Sequence, residues 1–248
     1  MLFDEVFVSP KWKNKDSFPS CIEFKIEINK WIEFIKSKNQ LDRYLPRIND
    51  SAAKRNEALA EICSAYILEK ILKYPVIEWE VETVNNRNVD FVIKSNNKKY
   101  FCEVKSPGWI GELTQEERLN GRKEKPKYIH AEVRSIAPWE RIRFSINKAN
   151  LKFLPNYYNL VIINHNLFDG ILFNDKRGIP MNVDIALYEE HGVYKNEKGY
   201  FVDNKYDNIG GILIIEYRLL CSSTKVEYAY NFFENRNAKK PFSLTINN

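Results

Sequence analysis

Asp90, Glu103 and Lys105 are the residues of this chain whose types and spacing could do chemistry together. Val89–Lys94 and Lys99–Lys105 alternate apolar and polar side chains on either side of Ser95-Asn96-Asn97-Lys98. That pattern reads as a β-hairpin. With Asn96 and Asn97 as the turn residues, Ser95 pairs with Lys98, and counting back along both strands sets Asp90 opposite Glu103. Lys105 lies two residues beyond Glu103 and projects from the same face. Carboxylates facing each other across a sheet sit roughly 5 Å apart and repel. At an effective dielectric near 20 this costs on the order of 3 kcal/mol. A lysine offsets part of it, and a divalent cation offsets more, because hard cations take carboxylate and carbonyl oxygens. The patch therefore has two readings: a Mg²⁺ site with a catalytic lysine, or a solvated face with an ordinary cross-strand ion pair.

The chain has 248 residues, which suits one domain with elaborations or one domain and a small appendage. Its apolar and charged contents are ordinary for a globular protein. No apolar run reaches the length of a membrane span, and the N-terminus lacks a signal-peptide pattern. No membrane partner is expected. Cys21, Cys63, Cys102 and Cys221 are scattered. They read as reduced thiols of a cytoplasmic protein rather than a zinc site or a disulfide frame. His130, His165 and His191 are equally isolated. A net charge of +5 permits an anionic partner without requiring one.

Elements must position the hairpin. Glu27–Lys38 has Ile28, Trp31, Ile32 and Ile35 at helical spacing, after a loop-like lead-in with Pro10 and Pro19. Asp50 or Ser51 can cap a helix that runs to about Leu72. Its apolar residues go nearly all round, so it is buried on several sides. Glu57 and Glu61 lie one turn apart on that helix. Each is either a structural ion pair or a further carboxylate for the patch. Val76–Val84 reads as a strand, and Asn85–Asn88 as the turn into the hairpin. Residues 107–138 are charged and irregular, with a short helix at Thr114–Leu119 and a basic run that includes Arg122 and Lys123. That run is a solvated loop or an arm over a polyanion. Pro138 opens a helix ending near Leu154, with Ile142, Ile146, Ala149 and Phe153 as its buried stripe. Arg141, Lys148 and Lys152 form a second, basic stripe. Asn159–Asn164 is a buried strand, Pro180–Glu190 a helix, Gly211–Leu220 a buried strand, and Lys225–Phe233 its pairing neighbour.

A helix, three consecutive strands, a helix and a strand, with Asp90 and Glu103-Val104-Lys105 on the second and third strands, resemble the PD-(D/E)xK nuclease superfamily. The resemblance covers roughly residues 51–165. The tail Asn231–Ala238 followed by Pro241 is also similar to the end of some members. Val89 stands where the motif has proline, and Lys152 stands near the place of a glutamine in many members, so that glutamine's role is not carried over. The resemblance implies an α/β, restriction-endonuclease-like αβββαβ core with a mixed central sheet flanked by helices. It implies one nuclease-like domain over 1–248, with 1–50 as an N-terminal elaboration and 166–248 supplying strands and a helix that complete the sheet.

The chemistry implied is metal-dependent hydrolysis of phosphodiester bonds, first of all in DNA. Asp90, Glu103 and the Val104 carbonyl would hold Mg²⁺, with Mn²⁺ able to substitute, and Glu57 or Glu61 would complete the shell or hold a second ion. Lys105 would orient the attacking water or stabilise developing charge. Arg141, Lys148 and Lys152 would grip the nucleic-acid backbone, assisted by Arg122 and Lys123. Double-strand cutting on this fold often implies two active sites, so a homodimer is compatible with the reading. The alternatives are a non-cleaving DNA-binding or scaffold protein on the same fold, and an unrelated α/β interaction protein whose hairpin carries an ion pair.

Overall fold

The structure, a computed structural model, describes residues 2–7, 22–106, 138–165, 180–192, 196–202, 204–219 and 226–242. Six strands form one mixed sheet, ordered as in the chain: β1 Val76–Glu82, β2 Asn88–Ser95, β3 Lys98–Lys105, β4 Tyr158–His165, β5 Gly211–Leu219 and β6 Val226–Glu234. The first three make an antiparallel meander. β4 and β5 add in parallel to β3, and β6 closes the far edge antiparallel to β5. A parallel step needs a crossover connection. The helix Pro138–Asn150 lies in the chain between β3 and β4, and Met181–Leu187 between β4 and β5.

Helices cover both faces of the sheet. They are α1 Leu2–Val6, α2 Ile22–Ser37, α3 Leu41–Ile48, α4 Ala52–Tyr66, α5 Pro138–Asn150 and α6 Met181–Leu187. One core packs α2, α3 and α4 against Phe91, Ile93, Cys102, Val104 and Ile162. The other packs α5 and α6 against Val92, Phe101, Val161 and Ile163. The two cores take alternate residues of the same strands, as side chains of period two must. The expected α/β architecture, a mixed sheet flanked by helices, is the one observed. No helix among the described residues is long and apolar enough to cross a membrane.

Local signals explain most boundaries. Ser51 caps α4, its hydroxyl accepting the Lys54 N–H at 3.3 Å. The helix then widens into a π-turn over Ile67–Ile71. Ile142, Ile146, Ala149 and Phe153 are all buried, as their spacing predicts. α5, however, ends at Asn150, and Phe153 reaches the core from the loop that follows. α3 is not among the elements that the sequence spacing predicts, and Pro46 lies inside it. Proline lacks the N–H that would complete the turn. Complete burial of Tyr44 and Ile48 holds this short helix nonetheless. α1 was also unexpected. The Thr114–Leu119 helix and the basic run with Arg122 and Lys123 lie outside the described residues.

The hairpin has the register its turn dictates, from Ser95↔Lys98 to Phe91↔Cys102. Asn96 and Asn97 have φ of 47° and 60°. Positive φ at both central residues marks the type I′ turn, whose twist matches that of the strands. A β-branched residue at either position would strain the turn by about 1–2 kcal/mol. Asn97→Val is therefore expected to lower the unfolding free energy by that amount, seen as a lower urea midpoint at unchanged slope, whereas Asn97→Gly should leave the midpoint equal or raised. Equal midpoints for the valine and glycine variants would show that the turn does not fix the register.

Candidate active site

The β2–β3 ladder stops one step short of the two acids. Beyond Phe91↔Cys102 the strands no longer pair. The Val104 N–H donates instead to Asp90 Oδ2 at 2.7 Å. An acid at position 90 thus replaces a rung of the ladder and opens the end of the hairpin. Across the other edge of β2, pairing with β1 runs through Trp79↔Phe91 and Val81↔Val89 but skips Glu80 and Asp90. Glu80 there adopts φ of 50°. For a side chain other than glycine that backbone costs roughly 1–2 kcal/mol. Both neighbours of β2 therefore depart from regular sheet at Asp90.

Glu103 is 1% exposed and Asp90 9%. A buried carboxylate is costly unless paired. Glu103 Oε1 is met by Lys105 Nζ at 2.5 Å and Lys152 Nζ at 2.7 Å. Its Oε2 is buried and has no hydrogen-bond partner among the described residues. Among the described residues no cation pairs directly with Asp90. Burial, and then the charges of Glu61 and Glu103, hold its carboxyl well above the usual carboxylate range, against the opposing effects of Lys152 and the Val104 N–H. Burial works against the Lys152 ammonium, but Glu103 and Asp90 outweigh it and raise it above the ordinary lysine value.

α3 and α4 bring the next layer. Arg47 grips Glu61 through two bonds of 2.6 and 2.7 Å, the bidentate geometry that suits a guanidinium. Arg43, one turn before Arg47 on α3, lies 3.8 Å from the same carboxylate. Glu61 thus makes an ion pair with Arg47, and it acts on Asp90 through its field. Glu57 is exposed and lines the rim. Together these groups enclose a cleft of about 510 Å³, which Asp90, Glu103 and Lys105 all line. Phe144 of α5 stands at its mouth, half exposed.

The basic stripe expected on α5 is not one surface. Lys152 lies past the end of the helix and turns inward to Glu103. Lys148 is exposed and sits 5.4 Å from the Phe144 ring. Arg141 is half-buried with its Nε unpaired. Neither Arg141 nor Lys148 lines the cleft. The sequence reading missed Arg43, Arg47 and Glu80. The spacing of Arg43 and Arg47 is a helical signal, but Pro46 lies between them.

Among the described residues no group of three His, Cys, Asp or Glu side chains is placed to hold a metal ion. Mg²⁺ does not need one, since it keeps several waters and takes one or two carboxylates. Asp90, Glu103 and the Val104 carbonyl offer only hard oxygens. The unpartnered Glu103 Oε2 is a free ligand atom beside them. The donor set fits the ion that the motif implies.

No protein-family model matches the sequence, and no curated protein matches it significantly. Among solved structures the chain is similar to SfsA of Pyrococcus furiosus, solved in complex with Ca²⁺, at 12% identity and a TM-score of 0.27. The match covers 73% of this chain and 64% of that one, less than two thirds of its length. A likeness at that level bears on neither the fold nor the chemistry.

The Asp90 environment has a measurable consequence. In the unfolded chain the carboxyl titrates near the ordinary value of about 3.9. The folded state holds its proton to higher pH, so stability falls as pH rises through the folded-state pKa. Asn at this position keeps an oxygen for the Val104 N–H and does not titrate. Asp90→Asn is therefore expected to gain on the wild type as pH rises from about 4 to about 8, by roughly 2–4 °C for each kcal/mol relieved. Thermal melts across that range check it, and a difference that stays constant with pH would contradict the protonated state.

Proposed function

We propose that this chain is a metal-dependent nuclease of the PD-(D/E)xK type, acting first of all on DNA, with 1–248 as a single nuclease-like domain. The observation that carries the reading is the meeting of Asp90, Glu103 and Lys105 in one cleft, at a hairpin end where the ladder gives way to an acid side chain. Asp90, Glu103 and the Val104 carbonyl hold Mg²⁺ or Mn²⁺. When bound, the ion lowers the pKa of a water and neutralises charge on the phosphoryl oxygens.

The protein's own groups do the rest. Lys105 and Lys152 neutralise Glu103 in the metal-free chain. With an ion held at Glu103, Lys105 would be the group that orients the water or meets developing charge. Lys152 stays paired with Glu103. Glu61, tied to Arg47, holds Asp90 in a field that a cation relieves. Glu57 at the rim is the acid free to complete the ion's shell.

Nicking of supercoiled plasmid and cutting of end-labelled oligonucleotides, with Mg²⁺, Mn²⁺ or EDTA, test the reading. Cleavage should need the metal and be abolished in Asp90→Asn and Glu103→Gln. Lys105→Ala should lose about 10²–10⁴-fold. Binding should weaken steeply with salt. Full activity in Lys105→Ala would sink the mechanism. Salt-sensitive DNA binding with no cleavage under any metal would instead favour the binding-only protein on the same fold.

A further inference from the structure

Arg43 offers the cleft a guanidinium with two donors that no described residue satisfies. Its side chain is 16% exposed, and its Nε and Nη1 are buried without a hydrogen-bond partner. Glu80 Oε1 lies 3.1 Å from Nε but out of line for a hydrogen bond. Glu61, 3.8 Å from Nη2, is already taken on both oxygens by Arg47. The Tyr44 and Trp79 rings, 4.9 and 5.9 Å from Cζ, pack against the group and fix its plane. Buried donors left unpaired favour any ligand that brings oxygens to them.

Glu80 supplies a second, independent sign. Its left-handed backbone interrupts β1 beside Asp90. Such strain persists where the surroundings enforce it and gathers at ligand sites. Its carboxylate lines the cleft beside Arg43 and yet is 54% exposed, so it can leave. A fixed fork of donors with a displaceable acid beside it suits a tetrahedral oxyanion.

We propose that Arg43 binds a backbone phosphate of the nucleic-acid strand, and that Glu80 is the internal anion standing there until the strand arrives. The identity of the ligand rests on the nuclease reading. The anion site itself does not.

The test uses the whole chain in EDTA, where nothing is cleaved. Anisotropy of a fluorescein-labelled oligonucleotide reports binding by the wild type, Arg43→Gln, Arg43→Lys, Glu80→Gln and the double Arg43→Gln/Glu80→Gln variant. Thermal melts with inorganic phosphate, against chloride at equal ionic strength, report the anion site alone. Arg43→Gln should weaken oligonucleotide binding about 10- to 100-fold, as loss of charge-assisted bonds does. Arg43→Lys keeps the charge but not the fork, should recover only part of that loss, and serves if the glutamine variant does not fold. Glu80→Gln should tighten binding severalfold in the wild type and not in the Arg43→Gln background. Any loss of negative charge tightens binding to an anion, so this non-additivity is what singles out the pair. Phosphate should stabilise the wild type and not Arg43→Gln.

Equal binding by the wild type and both Arg43 variants would overturn the proposal. Equal tightening by Glu80→Gln in both backgrounds would overturn the role of Glu80. A wild type that cleaves nothing, yet gains stability from phosphate only through Arg43, would uphold the anion site while the nuclease reading falls. A wild type that takes up neither oligonucleotide nor phosphate, yet cleaves with Mg²⁺, would overturn the anion site and leave the nuclease reading standing.

Discussion

Two carboxylates buried at the end of a β-hairpin must be neutralised, and most of what surrounds them answers that need. Glu103 is neutralised twice, by Lys105 from its own strand and by Lys152 from beyond α5. Asp90 has no ion-pair partner among the described residues. It holds a main-chain N–H and stays above the usual carboxylate range. The two acids stand in opposite electrostatic conditions although they line one cleft. A divalent cation held by the two acids, as proposed, would ease both conditions.

The sheet is what permits such a site. A carboxylate can enter a sheet only where the ladder has ended, since inside the ladder the N–H groups have main-chain partners. Here β2 loses regular pairing on both edges at one residue. On the β3 side the Asp90 side chain takes the Val104 N–H, and on the β1 side Glu80 turns left-handed. Around this opening the two hydrophobic faces keep the strands in place. One face delivers Arg43, Arg47 and Glu61 on α3 and α4. The other delivers Phe144 and Lys152 around α5. The cleft lies where the groups supplied by both layers meet.

Glu61 illustrates why residue types alone leave a role open. A buried acid on an apolar helix needs a partner, and metal or arginine would each serve. The choice falls to Arg47 because α3 packs on α4 and presents its guanidinium squarely to the carboxylate. Glu57, one turn earlier, is exposed and remains uncommitted.

By itself the sequence determined what depends on neighbours in the chain. The Asn96-Asn97 turn and two alternating strands set the register that brings Asp90 and Glu103 to the same end. Ser51 and the apolar spacing set α4, and the buried stripe from Ile142 marked α5. Each is a short-range rule of geometry. Tertiary structure decided the rest. Whether Lys152 grips a backbone or faces Glu103 depends on α5 stopping at Asn150, and on a loop that the core draws in through Phe153. α3 exists because burial of Tyr44 and Ile48 overrides the proline, and with it came Arg43 and Arg47. Charge pairing inside a cleft is settled by three-dimensional distance and by loss of solvent, and neither is written in the spacing of residues along a chain.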